Sequence, residues 1–236
     1  MNIEICFSPA LFQYYNTENC IVVIVDVFRA TTSICTAFHN GLKSVKTVAN
    51  IYEAKEWKSK GYLVAAERNT QKVDFADFGN SPFDFTPEKV NGKELVFTTT
   101  NGTQAIETAK NADEILIGAF SNIDSLSEYC IKSTKNIIIL CSGWNNKFCM
   151  EDTLFAGALS EKLLERKTYG FYSDSVITAL KLWEISKNDL SLVIKSTEHY
   201  KRLEDNKLTN SVDFCLTKNT TKIVPRYNKS SKCFII

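Results

Sequence analysis

The chain has 236 residues, of which 44% are hydrophobic and 23% are charged. This apolar content is enough to bury a sizeable core, and it excludes an intrinsically disordered protein. The 28 Lys and Arg residues nearly balance the 27 Asp and Glu residues and leave a net charge of +1. Because the balance is so even, there is no general electrostatic reason to bind nucleic acid or an anionic membrane, and we predict neither partner.

Strand-like and helix-like segments alternate along the chain, which favours an α/β fold. The predicted strands lie at residues 2–7, 20–26, 45–48, 62–66, 94–98, 114–118 and 136–141, with a last one near 222–224. The predicted helices lie at about residues 31–40, 51–60, 103–110, 122–132, 151–165, 174–186 and 197–206. No internal repeat or linker-like composition divides the chain, so we predict one domain over residues 1–236.

Residues 67–92 form a polar, turn-rich stretch between two of these strands. Loops of this length in a compact domain are usually functional or disordered, and the phenylalanines of this one favour an ordered loop. Ser81 followed by Pro82 is typical of the start of a short helix. We therefore expect Asn80 and Ser81 to lie in a loop that closes over a site.

The eight cysteines predict neither a disulfide framework nor a zinc site. None of them forms a C-x-x-C pair, and most lie in or beside apolar runs, where a reduced cysteine packs as a small hydrophobic residue. Only His39 and His199 could add nitrogen ligands for zinc. Because we find neither a signal-peptide pattern nor a transmembrane-length apolar run, we expect a cytoplasmic protein.

Three apolar strands run directly into clusters of small polar and charged residues. The clusters are Asp26 with Arg29–Thr32, Thr98–Thr103, and Cys141–Gly143 with Glu151–Asp152 at the next helix start. Open α/β sheets bind ligands beyond the carboxyl ends of their strands, at helix N-termini. Hydroxyls, backbone N–H groups and arginines there suit an anion, and carboxylates suit a hard cation that accompanies phosphate. The pattern predicts a phosphate site, and the acidic residues favour a catalytic one.

Each cluster also has a purely structural explanation. Asp26 could begin a turn, consecutive threonines could end a strand, and acidic residues at a helix start complement the helix dipole. Against this, Thr31 and Thr32 add hydroxyls beside Asp26, and the run 98–103 could form a backbone nest for an anion. We expect His39 at a helix end and His199 on a solvated helix, and we predict no catalytic role for either.

The familiar phosphate-handling motifs are absent. The chain has no G-x-x-x-x-G-K-[ST] loop, no G-x-G-x-x-G and no G-x-S-x-G elbow. A cysteine phosphatase would place Arg six positions after its Cys, whereas Lys147 follows Cys141. An aspartyl phosphatase would carry an Asp-x-Asp motif, but Phe28 stands where the second Asp of a motif beginning at Asp26 would be.

Taken together, the ordered blocks of the chain resemble those of the 2-phosphosulfolactate phosphatase family. The matching blocks are Asp26–Ser33, Ala66–Arg68, Gly79–Pro82, Thr98–Thr103, Glu151–Asp152 with Ala156–Gly157, Asp213 and Val224–Pro225. The resemblance implies a three-layer α/β/α fold with a mostly parallel or mixed central sheet. It also implies a Mg²⁺-dependent hydrolase that removes phosphate from 2-phospho-3-sulfolactate, a step that belongs to coenzyme M biosynthesis in some archaea.

We assign predicted roles by carrying the family's activity onto these blocks. The predicted catalytic residues are Asp26, Arg29, Glu67, Arg68, Asn101 and Asp152. The predicted substrate-binding residues are Thr31, Thr32, Asn80, Ser81, Thr99, Thr100, Gly102, Thr103 and Gly143. The predicted Mg²⁺ ligands are Asp26, Glu67, Glu151 and Asp152.

Several alternatives stay open from the sequence. Attack by metal-activated water is favoured over an aspartyl-phosphate on Asp26, since no nucleophile motif is recognisable. A non-catalytic sensor for a phosphorylated or sulfonated metabolite would keep the anion site, and a structural protein would use the clusters only as turns and caps. Ala66, residues 74–78 and Trp144 depart from the usual family pattern and leave the exact substrate open. The composition is also compatible with a homodimer.

Overall fold

The structure, a computed structural model, describes residues 1–166, 168–171 and 173–236. Its strands are β1 (Ile3–Cys6), β2 (Cys20–Val25), β3 (Ser44–Thr47), β4 (Leu63–Arg68), β5 (Gln71–Lys72), β6 (Glu94–Thr98), β7 (Glu114–Gly118), β8 (Asn136–Cys141), β9 (Arg226–Asn228) and β10 (Cys233–Ile235).

Its α-helices are α1 (Ala30–His39), α2 (Ile51–Ser59), α3 (Pro87–Val90), α4 (Gly102–Ala109), α5 (Ile123–Lys132), α6 (Met150–Leu164), α7 (Asp174–Ser186), α8 (Leu190–Lys195), α9 (Glu198–Asp205) and α10 (Val212–Leu216). Short 3₁₀ turns occur at Pro9–Tyr14, Pro82–Asp84, Phe120–Asn122 and Thr209–Ser211. In the described part of the chain, no helix is both long enough and apolar enough to cross a bilayer.

The strands form one mixed sheet in the order β1-β8-β2-β7-β9-β10-β3-β6-β4-β5. The first four strands form one parallel block, and β3, β6 and β4 form a second. The β9–β10 hairpin joins the blocks through antiparallel pairings. This mixed sheet, flanked by helices, is consistent with the predicted three-layer α/β/α fold and confirms the fold class.

The sheet is the centre of the core because its middle strands are apolar along their whole length. Every residue of β2 is buried, as expected for a parallel strand covered on both faces. Ile21, Val23 and Val25 pack in a cluster with α5, α6 and α7. Val22 and Ile24 point to the opposite face, where they share a cluster with α1, α4 and the second block.

The two blocks curve around α1 and α4, because residues of both blocks pack in that one cluster. Three antiparallel pairings separate the blocks, so their strands would run in opposite directions in a flat sheet. Sheet twist of about 20–25° per pair accumulates to about 100–125° over the five pairings from β2 to β6. The twist and curvature bring the carboxyl ends of β2, β4 and β6 to the same region.

The element predictions hold for most of the chain. Gly41 and Gly61 follow α1 and α2 with φ of +88° and +86°, which is the left-handed conformation expected at a helix stop. The loop after β4 is ordered, with its 3₁₀ turn starting at Pro82 as predicted. The single-domain interpretation stays a prediction.

The predicted last strand near 222–224 is wrong. The final strands are β9 and β10, which begin after Pro225. Ile117 donates its N–H to the Pro225 carbonyl at 3.0 Å, so the chain reaches the sheet there. Pro225 has no N–H of its own to offer the ladder, and regular pairing starts only beyond it.

Candidate functional site

A small cavity lies where the strand ends converge. Its lining residues are Asp26, Phe28, Arg29, Glu67, Thr70, Asn80, Asn101, Trp144, His199 and Leu203. Its volume of about 20 Å³ leaves room for about one water molecule. A larger ligand can enter only if some of the covering side chains move.

Asp26 lies at the centre of this site, just after β2. Its Oδ1 accepts a hydrogen bond from the Ala30 N–H at 3.2 Å, which places the carboxylate over the N-terminus of α1. Thr31 braces the same turn, because its hydroxyl donates to the Asp26 carbonyl at 2.9 Å. Burial raises the pKa of the Asp26 carboxyl to about 6. The Asp26 carboxylate is therefore held in a fixed position and shielded from solvent.

Arg29 supplies a buried positive charge beside Asp26. The residue is 3% exposed, and its Nη1 has no hydrogen-bond partner among the described residues. Burial lowers the pKa of this guanidinium from its ordinary value. A buried guanidinium N–H without a partner is costly, and an oxyanion is the group that satisfies it best. Arg29 thus indicates an anion in the cavity.

Glu67, near the end of β4, connects the loops that follow β4 and β6. Its carboxylate accepts hydrogen bonds from the Thr70 N–H, from the Thr100 N–H at 3.2 Å and from the Thr100 hydroxyl. The Arg68 guanidinium turns away from the cavity and donates to the Thr98 hydroxyl at 2.8 Å and to the Glu67 carbonyl. In this arrangement Glu67 faces the cavity and Arg68 braces the strand.

Asp152 lies behind Asp26 and joins two strand ends. Its two oxygens accept the Val27 N–H at 2.9 Å and the Gly143 N–H at 3.0 Å. Burial, followed by the charges of Glu151 and Asp26, raises the pKa of Asp152 well above its usual range. The carboxylate therefore fixes the position of the loop that carries Asp26.

Glu151 pairs with His199 across the start of α6 and α9. His199 Nδ1 is hydrogen-bonded to Glu151 Oε1, and both residues are buried. Burial alone would raise the pKa of Glu151, but the charge of His199 and this hydrogen bond outweigh burial and lower the pKa. His199 also packs edge-to-face against Phe28, with ring centroids 5.7 Å apart.

The acidic side chains outnumber the basic ones in this region. Four carboxylates are buried here, on Asp26, Glu67, Glu151 and Asp152. Asp26 and Glu67 line the cavity together with two buried basic residues, Arg29 and His199. Buried charges are usually paired or bound to metal ions. The surplus of buried carboxylates suits a cation, and the oxygen donors suit a hard one.

The structure brings together Asp26, Arg29, Glu67, Asn80 and Asn101, all of which line the cavity as the sequence pattern suggested. Other predicted substrate-binding residues have internal partners instead. The hydroxyls of Thr31, Thr32 and Thr103 donate to the backbone carbonyls of Asp26, Val27 and Thr99, and Thr100 is bonded to Glu67.

The predicted substrate-binding residues Gly102, Ser81 and Thr99 differ in their position relative to the cavity. Gly102 lies against Asp26, whereas Ser81 is half-buried before the 3₁₀ turn and is not a lining residue. The Thr99 hydroxyl is buried and has no partner among the described residues, but Thr99 is not a lining residue of the cavity.

His199 is the main functional candidate that the sequence pattern missed. The charged neighbours Glu198, Lys201 and Arg202 indicate a solvated helix, and that expectation is wrong for this residue. His199 is buried with Leu203 on one face of α9. The spacing of four residues between them was the available signal, because it places them on the same helix face.

Fold and site together define an α/β protein with a small closed cavity at converging strand ends, lined by buried carboxylates, an arginine and a histidine. Comparison with known proteins gives the family. The model of the 2-phosphosulpholactate phosphatase family matches residues 6–230, and the chain belongs to this family.

The relatives are similar over most of their length. The chain is 39% identical to a "Probable 2-phosphosulfolactate phosphatase" of Caldanaerobacter subterraneus subsp. tengcongensis, with 91% of this chain and 94% of the relative covered. Proteins of the same name from Thermotoga maritima and Clostridium novyi are 40% and 35% identical. The Thermotoga match covers 86% of this chain and 87% of the relative, and the Clostridium match covers 97% of each.

Proposed function

We propose that this protein is a Mg²⁺-dependent phosphomonoesterase that hydrolyses 2-phospho-3-sulfolactate or a closely similar small phosphoester to the alcohol and phosphate. The family and the names of its relatives support the phosphatase activity and the substrate. The observation that carries the proposal is the cavity itself, where Arg29 Nη1 lacks a partner among the described residues and the buried carboxylates of Asp26 and Glu67 line the same space. An ester that carries phosphate, carboxylate and sulfonate groups would pair with the guanidinium, and an accompanying divalent cation would pair with the carboxylates.

The residues present fit a magnesium ion. Asp26 and Glu67 are the carboxylates that line the cavity, and the buried Oδ1 of Asn80 has no hydrogen-bond partner among the described residues. Oxygen donors of this kind are those that Mg²⁺ prefers. We therefore propose Asp26 and Glu67 as ligands. Asp152 and Glu151, the other two predicted ligands, are not lining residues of the cavity, and they are bonded to backbone N–H groups and to His199, respectively.

Each group of side chains has a separate proposed role in phosphoryl transfer. Bound Mg²⁺ would offset charge on the phosphoryl oxygens and lower the pKa of a water molecule that attacks phosphorus. Arg29 would bind an oxygen of the ester through its unpartnered Nη1. Asp152 would keep the Asp26 loop in place. Phe28, Trp144 and Leu203 would exclude bulk water, which strengthens each of these electrostatic contacts.

The test is phosphate release from 2-phospho-3-sulfolactate by the wild type and by Asp26→Asn, with Mg²⁺ and with chelator. Asp26 is proposed as a ligand of Mg²⁺, and the alternative is that it attacks phosphorus as a nucleophile. Both roles need the ionised carboxylate. We expect Mg²⁺-dependent turnover in the wild type and a loss of at least about 100-fold in the variant. Asp174→Asn is the matched control, since Asp174 is exposed at the start of α7 and is not a lining residue of the cavity, so it should leave turnover unchanged.

Two results would contradict parts of this proposal. Near-wild-type turnover by Asp26→Asn with Mg²⁺ present would remove Asp26 from both roles. Absence of turnover in the wild type, combined with thermal stabilisation by the phosphoester, would identify a metabolite-binding protein in place of an enzyme.

A further inference from the structure

Cys149, Glu151 and His199 form a cluster in which only His199 belongs to the cavity lining described above. One potential ligand atom from each residue lies within 4.8 Å of the other two. Cys149 precedes the first turn of α6, Glu151 lies within that turn, and His199 comes from the first turn of α9. All three residues are buried.

The buried carboxylate of Glu151 is a second, independent indication of a ligand at this cluster. Glu151 is 2% exposed, and its Oε2 has no hydrogen-bond partner among the described residues, while Oε1 is bonded to His199. Burying a carboxylate oxygen without a partner is unfavourable unless a donor or a cation meets it. A cation between Glu151 and its neighbours would supply that partner.

A second cavity gives access to this cluster. Its volume is about 260 Å³, and it is lined by Cys149, Glu151 and His199 together with Trp144, Thr197 and Arg202, among other residues. The cavity is large enough for an ion to enter with water molecules. It also leaves space for a fourth ligand beside the three protein atoms.

We propose that Cys149, Glu151 and His199 bind a divalent transition metal of the zinc class, with water or a small anion as the fourth ligand. A thiolate sulfur, an imidazole nitrogen and a carboxylate oxygen are the donors that zinc and cobalt accept, whereas Mg²⁺ prefers oxygen alone. Coordination displaces the thiol proton of Cys149 to solvent. The site is therefore distinct in chemistry from the Asp26 and Glu67 pair.

The spacing of the cluster is close to what such an ion requires. Ligand atoms around a tetrahedral zinc ion, at bond lengths of about 2.0–2.3 Å, lie about 3.3–3.8 Å apart. The present upper limit of 4.8 Å exceeds that by about 1 Å, which side-chain rotation can close. Because Glu151 of α6, the preceding Cys149 and His199 of α9 supply the three ligands, the ion would join the starts of the two helices.

The test is a Co²⁺ titration of the chelator-treated full chain under reducing conditions. Cobalt bound to a thiolate gives a sulfur-to-metal charge-transfer band in the near ultraviolet, which Mg²⁺ sites do not give. We expect this band to saturate at about one Co²⁺ per chain, to vanish on addition of Zn²⁺ and to persist in excess Mg²⁺. Bound Zn²⁺ should also raise the melting temperature.

Two substitutions assign the signal to the cluster. Cys149→Ser should abolish the band, whereas Cys233→Ser, a cysteine outside the cluster, should keep it. His199→Gln should retain Cys149 but weaken Co²⁺ binding at least tenfold. Circular dichroism and the melting temperature will show whether each variant is folded. If Cys149→Ser does not fold, the Co²⁺ affinity of His199→Gln decides whether the cluster is the metal site.

The outcome is independent of the proposed phosphatase. Asp26→Asn should bind Co²⁺ like the wild type, even if it has lost turnover. A wild-type titration without the charge-transfer band would overturn the proposal. The same conclusion would follow if the band kept its full strength in Cys149→Ser, because another of the cysteines would then be the ligand.

Discussion

Gly102 sets how closely helix α4 approaches the Asp26 carboxylate. A Cβ at this position would lie 2.8 Å from Asp26 Oδ2 and 2.7 Å from Ala30 Cβ. Gly102→Ala must therefore displace the carboxylate or shift the start of α4. Displacement of a reacting group by about 1 Å can cost about 100-fold in rate, so we expect turnover to fall by 10- to 100-fold. Steady-state phosphate release measures the effect.

Gly170→Ala is the matched control for this prediction. A Cβ at Gly170 would meet no atom within 4 Å, so turnover and melting temperature should stay at wild-type values. Wild-type turnover in Gly102→Ala would show that Asp26 tolerates displacement, and it would weaken the case for this carboxylate at the reacting centre.

Residue types and their positions after strands predicted which side chains converge, but not which way they face. Asp26 and Arg29 were identified because they follow a buried strand. The orientation of Thr31, whose hydroxyl turns to a backbone carbonyl, depends on local turn geometry. His199 was missed because the polarity of its neighbours outweighed a short apolar spacing.

At the scale of elements, periodicity and turn residues predicted most boundaries. Strands β7 and β8 and helix α7 have the predicted bounds, because each combines a clear apolar pattern with polar ends. The failure at 222–224 came from reading two apolar residues before Pro225 as a strand. Their neighbours in space, which decide whether a strand pairs, lie more than 100 residues earlier in the chain.

Asp77 connects helix α2 to strand β4 within one of the segments that depart from the family pattern. Its carboxylate pairs with Lys58 and accepts the Val64 N–H at 2.9 Å. Burial alone would raise the pKa of Asp77, but these hydrogen bonds outweigh burial and lower the pKa below its ordinary value of 3.8. A lowered pKa stabilises the fold above that value, and the stabilisation is lost as pH falls through the folded-state pKa.

Asp77→Asn should therefore destabilise the protein at neutral pH and much less in acid. We expect a loss of about 1 kcal/mol at pH 7, which is about 2–4 °C in melting temperature for a chain of this size. The difference from wild type should shrink below about pH 4. Thermal melts of both proteins across pH measure this difference in melting temperature, and Asp74→Asn serves as an exposed control. A difference that does not depend on pH would rule out the ionised pair as the cause of the destabilisation.

At the scale of the molecule, the sheet order was beyond prediction. Alternating strands and helices indicate an α/β fold, but the last hairpin inserts between two blocks built from earlier parts of the chain. Which edges are free to receive it depends on the packing of α1 and α4. The convergence of Asp26 from one block with Glu67 from the other could likewise not be derived from spacing, because it depends on accumulated twist.

Phe234 is the residue through which this hairpin anchors both blocks. It is fully buried in the shared cluster, pairs with Val45 of β3 and packs against Tyr227, with ring centroids 5.3 Å apart. Phe234→Ala should cost about 3–5 kcal/mol through lost burial and the cavity left behind. The melting temperature should fall by about 6–20 °C. Ile236→Ala, at a position that is 59% exposed, should change it little.

The same substitution tests whether the hairpin holds the site together. In the described part of the chain, β9 and β10 are the only strands that connect the two blocks, and the cavity is lined from both. Weakening the connection should let the blocks separate before their helices unfold. Phosphate release by Phe234→Ala should therefore decline at temperatures where circular dichroism still reports a folded chain. If activity and helical signal were lost together, as in one cooperative transition, the blocks would be held chiefly by α1 and α4.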